Sequence, residues 1–281
     1  MLGKAYLARI RSKIGSRFGA VLRLEVVGGG CAEPREADWL AIATADASSA
    51  TQRDVERIIG LQYPLEMSRC RQRRLYNRSV TTLDHLVIAA PTLESGAAWL
   101  EDLLGVPLQA GGQHAFMGTH KRLLRLGSVY LEVIAVDPDA PAPNRPRWFG
   151  LDTLHLEQPR LIHWVARTDD LERVAALSLE DLGIVTDAVR GDLRWRITIP
   201  DDGHLPLGGI VPTLIEWQGS HPISRMPAIT CELVTLTGTH PQPERVQVAL
   251  ESIGATLTVT EGQLPALRAV ISSPNGLISL H

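Results

Sequence analysis

Residues 83–105 read LDHLVIAAPTLESGAAWLEDLLG. The first eight, LDHLVIAA (83–90), alternate and are rich in branched side chains, which predicts a strand. Pro91-Thr92 then opens a helix with Leu93, Gly96, Leu100 and Leu103 on one side, and Gly105 ends it. After a Gly-rich turn, RLLRLG and VYLEVIAV read as two further strands. The pattern returns at LIHWVART (161–168), with a helix begun by Asp169, carrying Leu171, Val174 and Leu177, and stopped near Gly183. DLRWRITIP and PTLIEWQG follow it as strands. It returns again at CELVTLTG (231–238), where PERVQVALESIG turns Val246, Leu250 and Ile253 inward before ATLTVTEG, ALRAVISS and GLISL.

The intervals agree. His85 to Gly105 and His163 to Gly183 are each 20 residues, and Glu232 to Gly254 is 22. From the same anchors to the last strand the gaps are 47 (Glu132), 53 (Glu216) and 47 (Ser279). A fixed period means a repeated strand–helix–strand–strand–strand unit. One unit is too small to cover both faces of its sheet, so units are expected to pair into a larger curved sheet.

Polar residues interrupt that scaffold at matching places. Glu132 lies in VYLEVIAV and Glu216 in TLIEWQ, each the one acid on an otherwise apolar strand. An ionised carboxylate there costs several kcal/mol unless it is paired or bound to a cation. His85 and His163 hold the equivalent place on the first strands of units one and two. Two imidazoles and two carboxylates suit one divalent metal, Zn²⁺, Fe²⁺, Ni²⁺, Co²⁺ or Mn²⁺, with two positions left open on a six-coordinate ion. In the third unit Glu232 replaces the His and Ser279 the Glu, so no second full site is expected there.

DHLVIAAPTLESGAAWLEDLLGV, with GTHKRLLRLG and YLEVIAVDP, resembles a glyoxalase-like domain of the vicinal oxygen chelate superfamily, well over 82 to about 218 and weakly over 228–281. The resemblance implies an α+β fold in which βαβββ units pair into a cupped mixed sheet with helices on its outer face. It implies metal ligands from the first and last strands of each unit, here His85, Glu132, His163 and Glu216. The expected activity is that of a lyase or isomerase acting on a small vicinal-oxygen substrate through a metal-stabilised enediolate, with Glu216 leaving the metal to act as general base. An extradiol-type dioxygenase and a non-catalytic binding or sequestration protein are the alternatives.

Secondary candidates surround the expected cup. His114 and His120, in the loop-like QHAFMGTH (113–120), are placed to contact substrate or shuttle a proton. Arg147 and Trp148, in the Pro-rich connector PAPNRPRWFGLD (141–152), are placed to close over an anionic substrate.

Composition bounds the rest. To Arg78 the chain carries a net charge of +6, and beyond it −9, so the main body has no electrostatic footprint for nucleic acid. Residues 1–80 read as a basic extension, 81–220 as the paired domain and 221–281 as the third, degenerate unit, pairing within the chain or across a homodimer. No run of 18 apolar residues occurs, so no membrane-spanning helix is expected. The three cysteines are too far apart for a metal-binding pair and suggest a reducing compartment, the cytoplasm. Residues 1–24, with five basic side chains before Arg23 and no acid, point instead to a mitochondrion if they are an import peptide. GGG at 28–30 is followed by no GK[ST], which argues against a phosphate loop.

Overall fold

The computed structural model describes residues 81–228 and 230–281. The readings of residues 1–80 as a basic extension, and of 1–24 as an import peptide, lie outside them. Unit one runs β1 (Thr82–Ala89), α1 (Leu93–Leu104), β2 (Gln109–His114), β3 (Thr119–Leu126) and β4 (Val129–Val136). Unit two runs β5 (Arg160–Arg167), α2 (Leu171–Leu177), β6 (Ile184–Arg190), β7 (Leu193–Ile199) and β8 (Thr213–Gln218). The third group is β9 (Glu232–His240), α3 (Pro243–Ser252), β10 (Thr258–Glu261), β11 (Ala266–Ser273) and β12 (Gly276–Leu280).

Units one and two join through antiparallel β1 and β5 into one eight-stranded sheet, ordered β2-β3-β4-β1-β5-β8-β7-β6. The sheet curls until its two edge strands meet, and the Arg190 side chain of β6 lies against Gly112 of β2. The result is the cupped mixed sheet with helices on its outer face. Strands β2 (QAGGQH) and β6 (IVTDAVR) were not legible as strands, because edge positions bury few side chains and carry little alternation.

The helix after β1 forms because its ends are satisfied. Thr92 Oγ1 accepts from the Ser95 amide at 3.1 Å, and Ser95 Oγ in turn accepts from the Thr92 amide. Gly105, at φ 71°, closes the other end in a left-handed turn. Leu100 and Leu104 then pack with Leu86 and Ile88 of β1 and Leu131 and Val133 of β4. Full burial of each such side chain stabilises by about 1.5–3 kcal/mol.

The third group differs from the first two in its pairing. Its strands run β10-β9-β11-β12, so its first strand pairs with the third and not with the fourth. The short return from α3 through Gly254 brings β10 back parallel beside β9, a simple βαβ crossover. Its apolar residues, among them Val246, Leu250, Leu267 and Ile271, join the same outer core as α1. The Asn275 side chain donates to the carbonyls of Asp102 and Leu103, finishing the end of α1. The third group covers the outer face and leaves the cup to units one and two.

Candidate functional site

Alternation sorts each strand into an outer and an inner set. Val87, Ala89, Ile134, Val165, Ile197 and Ile215 line the cup with Trp195, Trp148 and Phe149. Their neighbours one residue away, such as Leu86, Val133 and Leu214, face the outer core. His85, Glu132 and His163 share the inner set, with Val87 paired to Glu132 on one side and to His163 on the other. Glu216 does not. It follows the inward Ile215 and faces the helix layer, where one oxygen accepts from the Leu171 amide at 2.9 Å, at the start of α2. The other accepts from Arg196 at 2.7 Å. An acid at a helix N-terminus, paired to an arginine, accounts for Glu216 without a metal. Glu216 thus stands apart from the other three expected ligands, and in this structure both of its carboxylate oxygens are engaged outside the cup.

The remaining two expected ligands beside His85 are also committed. Glu132, 2% exposed, is ion-paired with Lys121 of β3, itself 7% exposed. His163 donates through Nδ1–H to the Gly209 carbonyl at 3.1 Å, which leaves the Nε2 lone pair to accept from the Thr213 amide at 3.0 Å. It therefore staples β5 to the turn before β8. Among the described residues no group of three His, Cys, Asp or Glu side chains is arranged to hold a metal ion. The donors present do not fit the divalent cation that the fold family implies, nor the two-His, one-carboxylate set of a dioxygenase.

What converges instead is a carboxylate with three donors. Asp84, 0% exposed, receives His85 Nδ1 at 2.7 Å, Trp217 Nε1 at 3.0 Å and His221 Nε2 at 2.8 Å. Strand alternation alone would turn Asp84 away from His85. A register break between Leu83 and His85 brings both into the cup. Burial opposes ionisation of Asp84, yet the bonds from His221 and His85 outweigh it and hold the carboxyl well below the usual carboxylate range. An anionic Asp84 accepts only, so His85 donates to it from Nδ1. The imidazole is held flat against Tyr130, ring centroids 4.5 Å apart. Burial pushes the pKa of Lys121 down, Glu132 pulls it up, and the charge of Arg190 lowers it further.

The secondary candidates divide. His114 points inward from the end of β2, against Trp148 at 4.8 Å and Trp195 at 5.7 Å. His120, one residue before the inward Lys121, faces the other way, 4.0 Å from Asp137. Arg147 is turned from the cup to Asp152 and the Gly118 carbonyl, at 2.6 and 3.3 Å. That bracing carries Trp148 and Phe149 over the cup, with Phe149 at φ 59° and 5.5 Å from His163. Asp84, Lys121, Trp217 and His221 were missed. The adjacent Asp-His pair was the one visible signal, and parity disguised it.

Two cup histidines are neutral by environment. Burial pushes His163 down to about 3, with the Gly209 bond opposing and His85 assisting. Burial, then the charges of Lys121 and Arg190, hold His114 well below the ordinary imidazole range. On unfolding both regain ordinary values, so below about pH 6.5 the unfolded chain binds more protons. Their stability is full above that pH and is lost as pH falls, at about 1.4 kcal/mol per unit for each histidine. Denaturant unfolding between pH 7 and 4 is expected to show a slope approaching about 2–3 kcal/mol per pH unit. His163→Gln should remove roughly half of it. A flat profile would refute the assignment.

A cupped sheet of paired βαβββ units with its polar residues on the concave wall defines a protein of the vicinal oxygen chelate class. The glyoxalase-like domain profile matches residues 83–254, and the chain belongs to that family. No curated protein matches it. Among solved structures it is similar to a hypothetical protein from Staphylococcus aureus, at 13% identity over 72% of this chain and 99% of that one, TM-score 0.49. It is also similar to methylmalonyl-CoA epimerase from Mycobacterium tuberculosis, at 19% identity over 53% of this chain and 95% of that one, TM-score 0.36. The Streptomyces coelicolor epimerase gives 18% identity over 50% and 100%, TM-score 0.35. Among the described residues no helix is long and apolar enough to cross a membrane.

Proposed function

We propose that the chain is an isomerase- or lyase-class enzyme that moves a proton on a small vicinal-oxygen substrate held in the cup. The observation that carries this reading is the Asp84–His85 pair, an anionic carboxylate that holds the imidazole through Nδ1 and leaves Nε2 as the nitrogen available to act as a base. His85 Nε2 removes a proton from the carbon beside a carbonyl, the C–H electron pair becomes the C=C bond of an enolate as the C=O π pair moves onto the oxygen, and the imidazolium returns the proton to carbon as the carbonyl re-forms. Lys121 supplies the fixed positive charge that stabilises the oxygen anion, the task a metal performs in other proteins of this class. Burial of Lys121 strengthens the attraction between its charge and the oxygen anion. Asp84 acts through His85 and is a positioning residue.

The test is deuterium exchange. A panel of small α-hydroxycarbonyl compounds in D₂O, followed by proton NMR, is expected to lose its α-hydrogen signal with the wild-type protein. His85→Gln should slow that loss about a thousandfold at unchanged far-ultraviolet circular dichroism. Equal rates in both proteins, or no exchange with any member, would overturn the reading.

A further inference from the structure

Where β2 and β6 meet, the cup wall holds polar atoms that the chain leaves without a partner. Both ring nitrogens of His114, 2% exposed, have no hydrogen-bond partner, nor do Trp148 Nε1 and Arg190 Nη1. Thr119 Oγ1 is in the same state, and Thr119 is the cross-strand partner of His114. His114 touches Trp148 edge to face. Arg190 lies against Gly112, which pairs across the ladder with Lys121. Folded proteins rarely bury one such atom unpaired, and here several lie together. Three of these side chains offer N–H groups, and with Lys121 two of the group are permanently or readily cationic. A neutral polar ligand would leave the charge of Arg190 uncompensated, whereas a planar anion with two oxygens matches its fork.

We infer that His114, Trp148 and Arg190 form a subsite for the carboxylate of the substrate. This rests on the proposed proton-transfer reading and narrows its substrate class to small α-hydroxy or α-oxo carboxylic acids. The carboxylate sits between Arg190 Nη1–H and Trp148 Nε1–H, and His114, neutral, donates from one nitrogen. The oxygenated carbon next to it is then directed down the cup toward Lys121 and His85. Trp148 belongs to the connector over the cup, so the anion also fastens that connector.

The probes are lactate and pyruvate, lactamide as the neutral isostere, and inorganic phosphate. Quenching of tryptophan fluorescence and the shift in Tm are read for the wild type and for Arg190→Met, Trp148→Phe and His85→Gln. Expected is saturable binding of at least one carboxylate, ten or more times tighter than lactamide. Arg190→Met should weaken it at least tenfold and Trp148→Phe severalfold, read by Tm shift, with the unliganded Tm of each variant as the folding control. His85→Gln changes the base and not the carboxylate contacts, so it should keep the preference for the carboxylate over lactamide. Binding that His85→Gln retains, while neither the C2 hydrogen of lactate nor the methyl hydrogens of pyruvate exchange with the wild-type protein, would sink the proton-transfer reading and leave the subsite standing. Equal binding of lactate and lactamide, no binding of either acid, tighter binding of phosphate, or indifference to Arg190→Met would each overturn the subsite.

Discussion

Asp84→Asn is expected to slow α-hydrogen exchange by a hundredfold or more, although it leaves the base itself in place. Nothing about the substitution changes size. It changes which atoms donate. The Asn carbonyl can still accept from Trp217 Nε1 and His221 Nε2, which share one oxygen of Asp84. The oxygen that faces His85 Nδ1 at 2.7 Å becomes an NH₂ group. A donor there forces Nδ1 to carry the lone pair, so the proton moves to Nε2, which can then no longer act as the base. Removing His85 outright, as His85→Ala, is expected to cost about a thousandfold. The readout that separates positioning from a loosened fold is the pH profile. With Asp84→Asn, the limb reporting a catalytic base should shift or vanish while the Tm falls only modestly. A fall in rate that tracks Tm, with the profile intact, would assign Asp84 a purely structural place.

Most of the cup was legible in the chain. Strands β1, β4 and β5 announce themselves because both of their faces are buried, the inner against the cup and the outer against the helices, and His85, Glu132 and His163 stand out in them as polar interruptions. Parity was the weak step. A strand's facing follows from alternation only if the ladder is regular, and two local departures broke the inference in opposite directions. The register break after Leu83 carried Asp84 inward beside its neighbour. In unit two the interval to the last acid is 53 residues against 47, and the difference is absorbed before β8, where Thr213, Ile215 and Trp217 take the inner positions and Glu216 the outer. Edge strands were illegible for a different reason, since β2 and β6 bury one face partially and their sequence shows it. The third group repeats the order of elements without the pairing, and element order alone cannot distinguish β10-β9-β11-β12 from the arrangement of units one and two. Lys121 was invisible for want of any sequence sign that a lysine between Thr119 and Leu123 turns inward.

Glu132→Ala is expected to be the most destabilising single change in the cup, by about 3–5 kcal/mol in denaturant unfolding. The loss does not measure the worth of the Lys121–Glu132 pair. It measures what an ammonium costs when its carboxylate is taken away inside a wall that excludes water. Burial already depresses the Lys121 pKa, so in the variant the lysine should release its proton more readily. The penalty should accordingly shrink as pH rises toward 9. Lys121→Met is the mirror case, a bare buried carboxylate, and its penalty should shrink as pH falls instead. The double variant Lys121→Met/Glu132→Leu removes both charges and is expected to regain most of the lost stability, because a buried pair and an apolar pair of similar volume are nearly equivalent. Recovery should stop there. If Lys121 stabilises the substrate's oxygen anion, the double variant folds well and exchanges no faster than Lys121→Met alone. Exchange restored along with stability would show that the pair serves the fold and that the charge on the oxygen is met elsewhere. If the pair instead occupied a metal's place only incidentally, zinc added to Lys121→Met should raise its Tm, since ligand bound to the folded state alone stabilises it. With Glu216 across the sheet and His163 tied to Gly209 and Thr213, no such rise is expected.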